Sequence, residues 1–433
     1  MEKSIALPRG TSDILPTEVP AWQQIETSAR NLLKAYNYQE IRTPAFEEIE
    51  LFARSMGQTS DVVQKQMLTL ASQKVAEETT SSLALRPEAT ASVVRSYISN
   101  RFDKKESLSK LYYIGPMFRG ERPQKGRLRQ FHQIGVEAIG PQTASAYLDA
   151  EIISLSVRLL EVFGLKEFKL KINTLGSAQD KENFSKILRQ KLKPFLPQLS
   201  QESQARFERN VFRVLDSKNK QDKEIVAKLN IDLSYLSKES QEYYTNVKKA
   251  LDELGVRYEE SLDLVRGLDY YTHTVFEISG ASLGSQDALG AGGRYNDLVA
   301  QLGGPNVDAM GFALGIERIL LALGEKEQAV SPLDVYCVAV DAQSLKKIFQ
   351  LLNVFRAPDI GLSCDAAYKL SSVKSQMRQA NKLNAKAVVI IGEEELKQES
   401  VVVKDMKTGE ETKISIKDNQ FKGLVAHLVE RFK

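Results

Sequence analysis

Two spacings of hydrophobic residues alternate along this chain. Residues 20–36 and 148–165 place apolar side chains every three or four positions, which is the spacing of an amphipathic helix. Residues 111–119 and 130–139 have the composition of strands, and the charged segment between them predicts a long antiparallel hairpin. Residues 310–324 begin as a strand, pass through a glycine and continue as an apolar helix.

Shorter stretches carry further structural predictions. Residues 40–49, EIRTPAFEEI, predict a strand interrupted at Pro44, and residues 168–173, FKLKIN, predict another strand. Residues 264–278 predict a strand pair or a bent strand. In residues 290–304, GAGGRYNDLVAQLGG, the glycines predict a turn that enters a helix.

The composition changes near residue 178. Residues 178–254 are polar, rich in Lys, Glu and Gln, and helical in their spacing, while strand character resumes on either side. We therefore predict an inserted helical module, flanked by residues 1–177 and 255–325 as two parts of one domain. Residues 326–433 alternate strands with helices and predict a separate small α/β domain.

Bulk composition narrows the classes of protein. A chain of 433 residues is too long for one ordinary core, and its net charge of +3 means that any nucleic acid is bound by local basic patches. Cys337 and Cys364 each lack a second cysteine nearby, and there are three histidines, so a disulfide scaffold and a cysteine or multi-histidine metal site are not expected. The N-terminal segment has no long apolar run, and we expect neither a signal peptide nor a membrane span.

The predicted hairpin loop concentrates positive charge. Residues 118–129, FRGERPQKGRLR, hold five Lys or Arg residues and one acid, which suits a nucleic acid, a nucleotide phosphate or a solvated loop. The strand that follows argues against a merely solvated loop, because alternation puts one set of side chains on the floor of a polar pocket and the other in the core. The pocket set is Phe131, Gln133, Gly135 and Glu137, and the core set is His132, Ile134, Val136 and Ala138, with His132 packed or hydrogen-bonded.

Two other stretches place charge where an anion or an ammonium group could bind. In LALRPEATA, Arg86, Glu88 and Thr90 form an alternating polar face on a strand, or else an exposed salt-bridged turn. In GFALGIERIL, Arg318 lies just inside an apolar helix, where it meets an anion at the helix N-terminus or extends to the surface.

Adjacent tyrosines mark a third stretch, VRGLDYYTHT. On a strand, Tyr270 and Tyr271 face opposite ways, so only one of them needs to enter a pocket, and an aromatic core patch is the plainer alternative. The run GAGGRYNDL is rich in glycine but lacks the Gly-Lys-Ser/Thr ending of a phosphate-binding loop.

Together these stretches resemble the histidyl-tRNA synthetases, a family of class II aminoacyl-tRNA synthetases. LPRGTSDILP and IRTPAFEEIELFARSMGQTSDVVQKQM are similar to the N-terminal segment and the first class II motif, FRGERPQKGRLRQFHQIGVE to the second motif, and GFALGIERIL to the third. LALRPEATA and LVRGLDYYTHTVFE resemble the histidine-specific stretches. The resemblance implies an α+β catalytic domain with an antiparallel sheet flanked by helices (1–177 and 255–325), a helical insertion module (178–254) and a C-terminal α/β anticodon-binding domain (326–433).

The activity implied by the resemblance is histidine–tRNA ligation. L-Histidine and ATP would give histidyl-adenylate and pyrophosphate, and the histidyl group would then pass to the 3′ end of tRNA(His). Mg²⁺ would accompany the ATP phosphates, and no metal would be held by the protein itself. The resemblance also implies a cytoplasmic homodimer with no membrane association.

The resemblance assigns the amino-acid site residue by residue. Glu88, Thr90 and Gln133 should hold the α-amino group of histidine, and Glu137 and Tyr271 should read its two imidazole nitrogens. The residues expected to line the pocket are Tyr270, Tyr295 and Ala89.

It also assigns the phosphate and RNA contacts. Arg119 should bind the α-phosphate of ATP, and Arg266 should contact both the α-phosphate and the histidine carboxylate as the second catalytic residue. Arg318 should serve the γ-phosphate and the adenine. Gln124 and Arg129, in the hairpin loop, should touch the acceptor end of the tRNA.

The chain departs from the family pattern at two positions. Ala89 stands where the family usually has glycine, which is tolerable if the backbone there has a negative φ. Gly120 stands where the family often has histidine, which should loosen the loop. Neither change removes a charged group.

Two other functions fit the same resemblance. One is the non-charging paralogue that regulates an ATP phosphoribosyltransferase, which typically lacks the tail domain and has eroded substrate motifs. The other is an RNA-binding protein with an inactive catalytic fold. The retained charged residues and the tail argue against the first, and the intact polar pocket argues against the second.

Overall fold

The computed structural model divides the chain into two compact units, Met1–Lys326 and Glu327–Lys433. The residues that the structure describes are 5–57, 60, 62–71, 82–124, 126–265, 268–280, 283, 288–324, 332–417 and 421–432. Within these ranges, no helix has the length and apolar character needed to cross a membrane.

The first unit is organised around one large sheet. Its described strands are β1 (Gln39–Glu40), β2 (Phe46–Glu48), β3 (Leu83–Leu85), β4 (Ser109–Phe118), β5 (Gln130–Ile139), β6 (Phe168–Thr174), β7 (Glu259–Glu260), β8 (Thr272–Gly280), β9 (Ala288–Arg294) and β10 (Ala309–Gly315). Eight of them form the sheet in the order β1-β4-β5-β10-β9-β8-β6-β7, and β2 pairs with β3 alone. The sheet is antiparallel except where β1 meets β4 and β6 meets β7.

Helices cover this sheet. They are α1 (Val19–Ala35), α2 (Ile49–Met56), α3 (Thr90–Ser99), α4 (Ala146–Val162), α5 (Ala178–Leu192), α6 (Gln201–Arg209), α7 (Phe212–Leu215), α8 (Lys220–Ala227), α9 (Lys238–Glu253), α10 (Leu298–Gln301) and α11 (Ile316–Leu323). Short 3-10 or π-helical turns lie at Val62–Gln66, Phe102–Lys104, Pro141–Thr143 and Lys193–Gln198. Helices α5 to α9 occupy the polar stretch 178–254. Ser177 and Ser237 accept hydrogen bonds from backbone N–H groups of α5 and α9, and they thereby cap the N-termini of these two helices.

Several sequence predictions are confirmed. Helices α1 and α4 match the two predicted amphipathic helices, and β10 followed by α11 matches the predicted strand, glycine and helix. The hairpin is antiparallel, with Ser109 opposite Ile139 and Phe118 opposite Gln130. The predicted break at Pro44 falls between β1 and β2.

The two faces of β5 have different roles, as its alternation predicts. Ile134, Val136 and Ala138 are fully buried in a hydrophobic core together with residues of α1, α4 and α9. Gln133 and Glu137 face the other way, toward a cavity. The strand therefore anchors the sheet with one face and carries polar side chains into the cavity with the other.

The glycines at the start of 290–304 do not form a turn, so that part of the prediction is wrong. Residues 290–294 belong to β9, inside the sheet, and the predicted helix is the four-residue α10. A Cβ on Gly292 would lie 2.3 Å from the carbonyl oxygen of Gly311, and one on Gly290 would lie 2.3 Å from Leu314 Cδ2. The glycines are there because neighbouring strands approach closely, which is the other common reason for glycine in a strand.

For the segment 264–278, the sequence predicts a strand pair or a bent strand, and the described residues form one irregular strand. This is β8, which begins at Thr272. The register of β8 against β9 shifts between Thr272 and Val275, where His273 adopts a φ of 44°. The apparent bend in the sequence is therefore a local irregularity at the start of one strand.

The polar face predicted on a strand at LALRPEATA does not form. Strand β3 ends at Leu85, and Thr90 already begins α3. The Arg86 side chain turns away and donates to the carbonyl oxygens of Thr43 and Pro116, at 2.9 Å and 3.0 Å. Arg86 therefore has a structural role, and Glu88 and Thr90 reach the cavity from the start of a helix.

The second unit is a small α/β fold. Its described elements are β11 (Val335–Ala339), α12 (Ala342–Phe355), β12 (Cys364–Ala366), α13 (Val373–Lys382), β13 (Ala387–Ile391), α14 (Glu393–Lys397), β14 (Ser400–Asp405), β15 (Glu411–Ser415) and α15 (Lys422–Phe432). The strands lie in the order β12-β11-β13-β14-β15. The predicted alternation is confirmed, and the short α14 is an element that the sequence pattern did not reveal. Cys337 and Cys364 are both free and buried.

Candidate active site

A cavity of about 1100 Å³ lies on the polar face of β5. It brings together the predicted residues Glu88, Thr90, Arg119, Gln133, Glu137, Tyr270, Tyr271, Tyr295 and Arg318. Its wall also includes basic side chains of the segment 178–254, namely Arg206, Arg213, Lys218 and Lys223. We call the part of the cavity wall around Glu88, Glu137 and the tyrosines its acidic end, and the part around Arg119 and Arg318 its basic end.

Glu137 is the buried centre of the acidic end. Its side chain is 1% exposed, and it accepts hydrogen bonds from the Thr90 hydroxyl at 2.8 Å and from the Tyr295 hydroxyl. Burial raises the pKa of Glu137 to about 8, although these hydroxyl donors act in the opposite direction. A carboxyl group held in this way is poised to exchange a proton or a hydrogen bond with a basic nitrogen.

Tyr113 completes this group and was missed by the sequence analysis. It lies on β4 opposite Gly135 and lines the cavity, and a Cβ on Gly135 would lie 2.3 Å from its hydroxyl oxygen. Burial holds the pKa of Tyr113 well above its usual value, with the nearby Glu137 and Glu88 carboxylates adding to the effect. The small residue at 135 was noticed in the sequence, but its cross-strand partner, which that space accommodates, was not.

Glu88 binds the first turn of α3. Its carboxylate accepts the backbone N–H groups of Thr90 at 2.7 Å and Ala91 at 3.0 Å. Burial still raises the pKa of Glu88, with these donors acting against the shift. The helix start thus fixes a carboxylate at the cavity wall, where it can receive a cationic group.

Gln133 has unused hydrogen-bonding capacity. Its Oε1 atom is buried and has no hydrogen-bond partner among the residues that the structure describes. A buried amide oxygen without a donor is costly, so on the cavity wall it is available to a water or a ligand that donates an N–H or O–H group.

The three tyrosines form an aromatic wall. The prediction that Tyr270 and Tyr271 face opposite ways on a strand is wrong, because both precede β8 and both line the cavity. Their ring centroids are 4.7 Å apart, and Tyr270 also meets Tyr295 edge to face at 5.6 Å. In a turn, consecutive side chains do not alternate across a sheet, which allows both rings to enter one site.

Arg119 lies at the base of the hairpin loop. Its Nε donates to the Pro87 carbonyl oxygen at 2.9 Å, and its guanidinium lies 5.1 Å from the centre of the Phe131 ring. Burial lowers the pKa of Arg119, partly offset by the carboxylates of Glu121 and Glu88. The guanidinium remains charged, and its partial desolvation favours an anionic partner in the cavity.

Arg318 turns inward from α11 and does not extend to the surface. Its Nε donates to the Gly126 carbonyl oxygen at 2.9 Å, and a terminal nitrogen donates to that of Ala288 at 2.6 Å. Burial lowers the pKa of Arg318, and repulsion from Arg127 and Arg119 adds to this. Arg318 and Arg119 therefore place two guanidiniums on one cavity.

Gln124 and Arg129, the two loop residues predicted to touch the tRNA, lie outside the cavity wall, whereas Glu121 and Arg127 of the same loop line it. Gln124 is exposed and exchanges backbone hydrogen bonds with Arg127, while the backbone N–H of Arg129 donates to the carbonyl oxygen of Gly10 at 2.7 Å.

His132, on β5, is packed and hydrogen-bonded as expected. Its Nδ1 lies 2.8 Å from Glu317 Oε1, and its ring meets Trp22 edge to face.

Three further positions complete the comparison with the sequence. Arg266 lies outside the described residues. Ala89, which the resemblance places in the pocket lining, is 1% exposed and belongs to the hydrophobic core. It is not among the residues that line the cavity. Its φ of −108° accommodates the methyl group that replaces a glycine hydrogen. At Gly120, a Cβ would meet Leu68 at 3.1 Å, so this position is crowded, and its N–H donates to Gln66.

A buried ion pair supports the site from behind and was also missed. Arg294 and Asp149 pair at 2.6 Å, and their side chains are 1% and 0% exposed. Asp149 also accepts from the hydroxyls of Thr274 and Tyr243. Arg294 immediately precedes Tyr295, so the pair fixes the end of β9 from which Tyr295 reaches Glu137. The two residues are too distant in sequence for a local pattern to join them.

Within the described part of the chain, no group of three or more His, Cys, Asp or Glu side chains is arranged to hold a metal ion.

Comparison with known proteins relates this geometry to a family. The family model described as histidyl-tRNA synthetase matches residues 10–319, and the model described as anticodon binding domain matches residues 335–420. The chain is 43% identical to a histidine–tRNA ligase of Ligilactobacillus salivarius, over 98% of each chain. It is 44% identical to a histidine–tRNA ligase of a Geobacillus species, over 95% of this chain and 96% of the relative.

Solved structures agree with the sequence relatives. The apo histidyl-tRNA synthetase of S. aureus has a TM-score of 0.78 at 37% identity, covering 98% of this chain and all of that one. A Bacillus halodurans protein, described as an ATP phosphoribosyltransferase regulatory subunit/histidyl-tRNA synthetase, has a TM-score of 0.64 at 22% identity, covering 90% of this chain and 99% of that one. The second likeness shows the shared fold alone.

Proposed function

The chain belongs to the histidyl-tRNA synthetase family, and we propose that its cavity activates L-histidine with ATP and transfers the histidyl group to tRNA(His). The first step is attack of the histidine carboxylate on the α-phosphate of ATP. It forms histidyl-adenylate and releases pyrophosphate. In the second step, a hydroxyl of the terminal adenosine of the tRNA attacks the activated carbonyl, and AMP leaves.

The observation that carries this proposal is the buried acidic end of the cavity. Glu137 is almost fully buried with two hydroxyl donors, and the nearby Gln133 has an amide oxygen without a partner among the described residues. We assign Glu137 and Tyr271 to the two imidazole nitrogens. Glu88, Thr90 and Gln133 then hold the α-amino group. A site with this many buried polar groups rejects an amino acid that cannot satisfy them.

The guanidiniums support the proposed chemistry at the other end. Adenylation brings two anions together, and negative charge develops on the phosphoryl oxygens. Arg119 at the α-phosphate and Arg318 at the γ-phosphate and adenine would offset that charge by fixed electrostatic contacts. We propose the same catalytic role as Arg119 for Arg266, from its place in the motif RGLDYYT.

ATP would enter with its Mg²⁺. Mg²⁺ keeps several of its waters and binds through substrate phosphates, so the ion would accompany the phosphates of ATP. The ion supplies further charge neutralisation on the phosphates. The protein's own contribution is to orient those phosphates with arginine side chains.

The RNA contacts are proposed for three regions. The wall of the cavity formed by residues 178–254 contributes four basic side chains, Arg206, Arg213, Lys218 and Lys223, which suit the acceptor end of a tRNA. Gln124 and Arg129 in the hairpin loop would touch the same end. The second unit would bind the anticodon, consistent with the family model that it matches. We also propose that the protein works as a homodimer in the cytoplasm, where its tRNA substrate is charged.

Two assays test this function. The purified chain is expected to catalyse pyrophosphate exchange into ATP only when histidine is present, and then to charge tRNA(His). Stimulation of an ATP phosphoribosyltransferase without any exchange would contradict the proposal and favour the regulatory paralogue.

The role of the second unit has its own test. Residues 331–433 hold 16 Lys or Arg against 13 Asp or Glu, an excess of three, so base stacking and edge contacts must contribute to anticodon recognition. Removing residues 326–433 is therefore expected to lower tRNA charging far more than pyrophosphate exchange. Equal loss of both activities would show that the tail is needed for the fold of the first unit.

A further inference from the structure

Lys181 joins the helical segment to the aromatic wall of the cavity. It lies in the first turn of α5, and its ammonium group donates to the carbonyl oxygens of Asp269 at 2.9 Å and Tyr271 at 2.7 Å. These two carbonyls flank Tyr270 in the chain. The three-residue turn 269–271 is thus held by one side chain from outside the catalytic sheet.

A second contact from the same segment reaches the same turn. Asn210, between α6 and α7, donates through Nδ2 to Asp269 Oδ1 at 2.9 Å. Its Oδ1 accepts the backbone N–H of Phe212 at 3.2 Å, which fixes the orientation of the amide. Lys181 and Asn210 therefore approach the turn from two separate places in residues 178–254, namely α5 and the connection between α6 and α7.

The turn has little freedom on its remaining side. A Cβ on Gly57 would lie 2.6 Å from Asp269 Oδ2, which shows how closely the Asp269 carboxylate packs against the end of α2. The turn carries both Tyr270 and Tyr271, which are 5% and 8% exposed. Movement of its backbone would move both rings relative to Glu137.

We propose that Lys181 is a positioning residue through which the helical segment 178–254 sets the position of Tyr270 and Tyr271, and thereby the affinity for histidine. This inference rests on the proposed function. Lys181 does not line the cavity, and its nearest described partners are backbone carbonyls, so it acts on the substrate only through the turn. The segment that faces the tRNA acceptor end is, by this contact, mechanically linked to the amino-acid pocket.

The test compares Lys181→Met with Lys186→Met by histidine-dependent pyrophosphate exchange. Lys186 lies on the same helix but is exposed and pairs only with Glu182 among the described residues, so it is a matched control. Lys181→Met keeps the apolar stem and removes the donor. We expect the KM for histidine to rise about tenfold, the KM for ATP to change less than twofold, and Lys181→Arg to restore most of the affinity.

Each outcome separates this inference from the function on which it rests. If the wild-type chain shows no histidine-dependent exchange, the proposed function fails. If the wild type is active and Lys181→Met has an unchanged histidine KM, or raises both KM values equally, the positioning role is wrong. Should Lys181→Met not fold, Asn210→Ala applies the same test from the other contact, with a smaller expected rise of about threefold in the histidine KM.

Discussion

The acidic and the basic ends of the cavity are prepared for their ligands in different ways. At the acidic end, the hydroxyls of Thr90 and Tyr295 both donate to Glu137, so its carboxyl group is already held in place by side chains. At the basic end, Arg119 and Arg318 donate to backbone carbonyl oxygens and not to carboxylates. The central carboxyl group of one end is held by side-chain hydroxyls, whereas the two guanidiniums of the other end donate to backbone carbonyls, with the carboxylates of Glu121 and Glu88 acting on Arg119 from nearby.

This difference matches the two tasks of the proposed enzyme. Discrimination among amino acids requires a rigid set of partners, because the penalty for a wrong side chain comes from polar groups left unpaired. Phosphate chemistry requires charge that strengthens its contacts as the transition state forms. A guanidinium that bonds to a carbonyl keeps further N–H groups for a phosphate. The following experiments test this contrast, from the largest expected effect to the smallest.

Removing the central carboxylate should abolish selection of histidine. Glu137→Ala leaves the hydroxyls of Thr90 and Tyr295 without their shared acceptor, and kcat/KM for histidine in pyrophosphate exchange is expected to fall by about 10³-fold or more. The matched variant Glu137→Gln keeps the shape of the side chain, so its kcat/KM for histidine should fall less. Circular dichroism of both variants checks that the fold survives. Near-normal exchange by the alanine variant would refute the role of Glu137.

Removing a cation from the basic end should act on rate more than on histidine binding. Arg119→Ala is expected to lower kcat by about 10²- to 10³-fold, with the KM for histidine changing little. Arg119→Lys keeps the charge but loses the forked geometry, and should recover only part of the rate. An unchanged kcat with a raised histidine KM would instead place Arg119 at the amino-acid end.

The raised pKa of Glu137 predicts a pH-dependent stability. The folded chain binds the proton of the Glu137 carboxyl group more tightly than the unfolded chain does. Proton binding therefore contributes in full to the free energy of unfolding below the unfolded pKa near 4.5, and the contribution is lost as the pH rises through about 8. Between pH 6 and pH 9, the free energy of unfolding of the wild type should therefore fall by about 2–3 kcal/mol relative to that of Glu137→Gln, whose amide does not titrate. Urea unfolding of both proteins at the two pH values measures this difference. If the two free energies of unfolding differ by the same amount at both pH values, Glu137 is ionised over the whole range.

Replacing Arg318 should have the smallest of these effects. It sits at the far end of the phosphate chain in the proposed complex, so Arg318→Met should raise the KM for ATP by about tenfold while the KM for histidine stays the same. Steady-state exchange with either substrate varied separates the two constants. A parallel rise in both would show that the two ends are not independent.

The sequence predicted those parts of the site that depend on local periodicity. The alternation of β5 placed Gln133 and Glu137 on one face and Ile134, Val136 and Ala138 on the other, because strand side chains alternate strictly. The hairpin and the major helices followed from the same kind of pattern. The individual roles came from resemblance to a family and remain proposals.

What the sequence could not reveal depends on contacts between distant segments. The glycines of β9 predict a turn, because a glycine pattern alone does not distinguish a tight bend from close strand packing. Lys181 lies in the polar helical stretch 178–254, and no local pattern indicates its partners, which lie 88 and 90 residues away. The pair of Asp149 and Arg294 spans 145 residues and required the tertiary fold to be seen.

The glycine opposite Glu137 has a consequence for redesign of the pocket. Gly311 is the cross-strand partner of Glu137, and a Cβ there would lie 1.9 Å from Glu137 Oε2. The same Cβ would also lie 2.3 Å from the backbone carbonyl oxygen of Val136, which no substitution at position 137 removes. Position 311 is thus closed to any side chain, and libraries that aim to change the amino-acid preference of this scaffold should vary position 137 and leave position 311 as glycine.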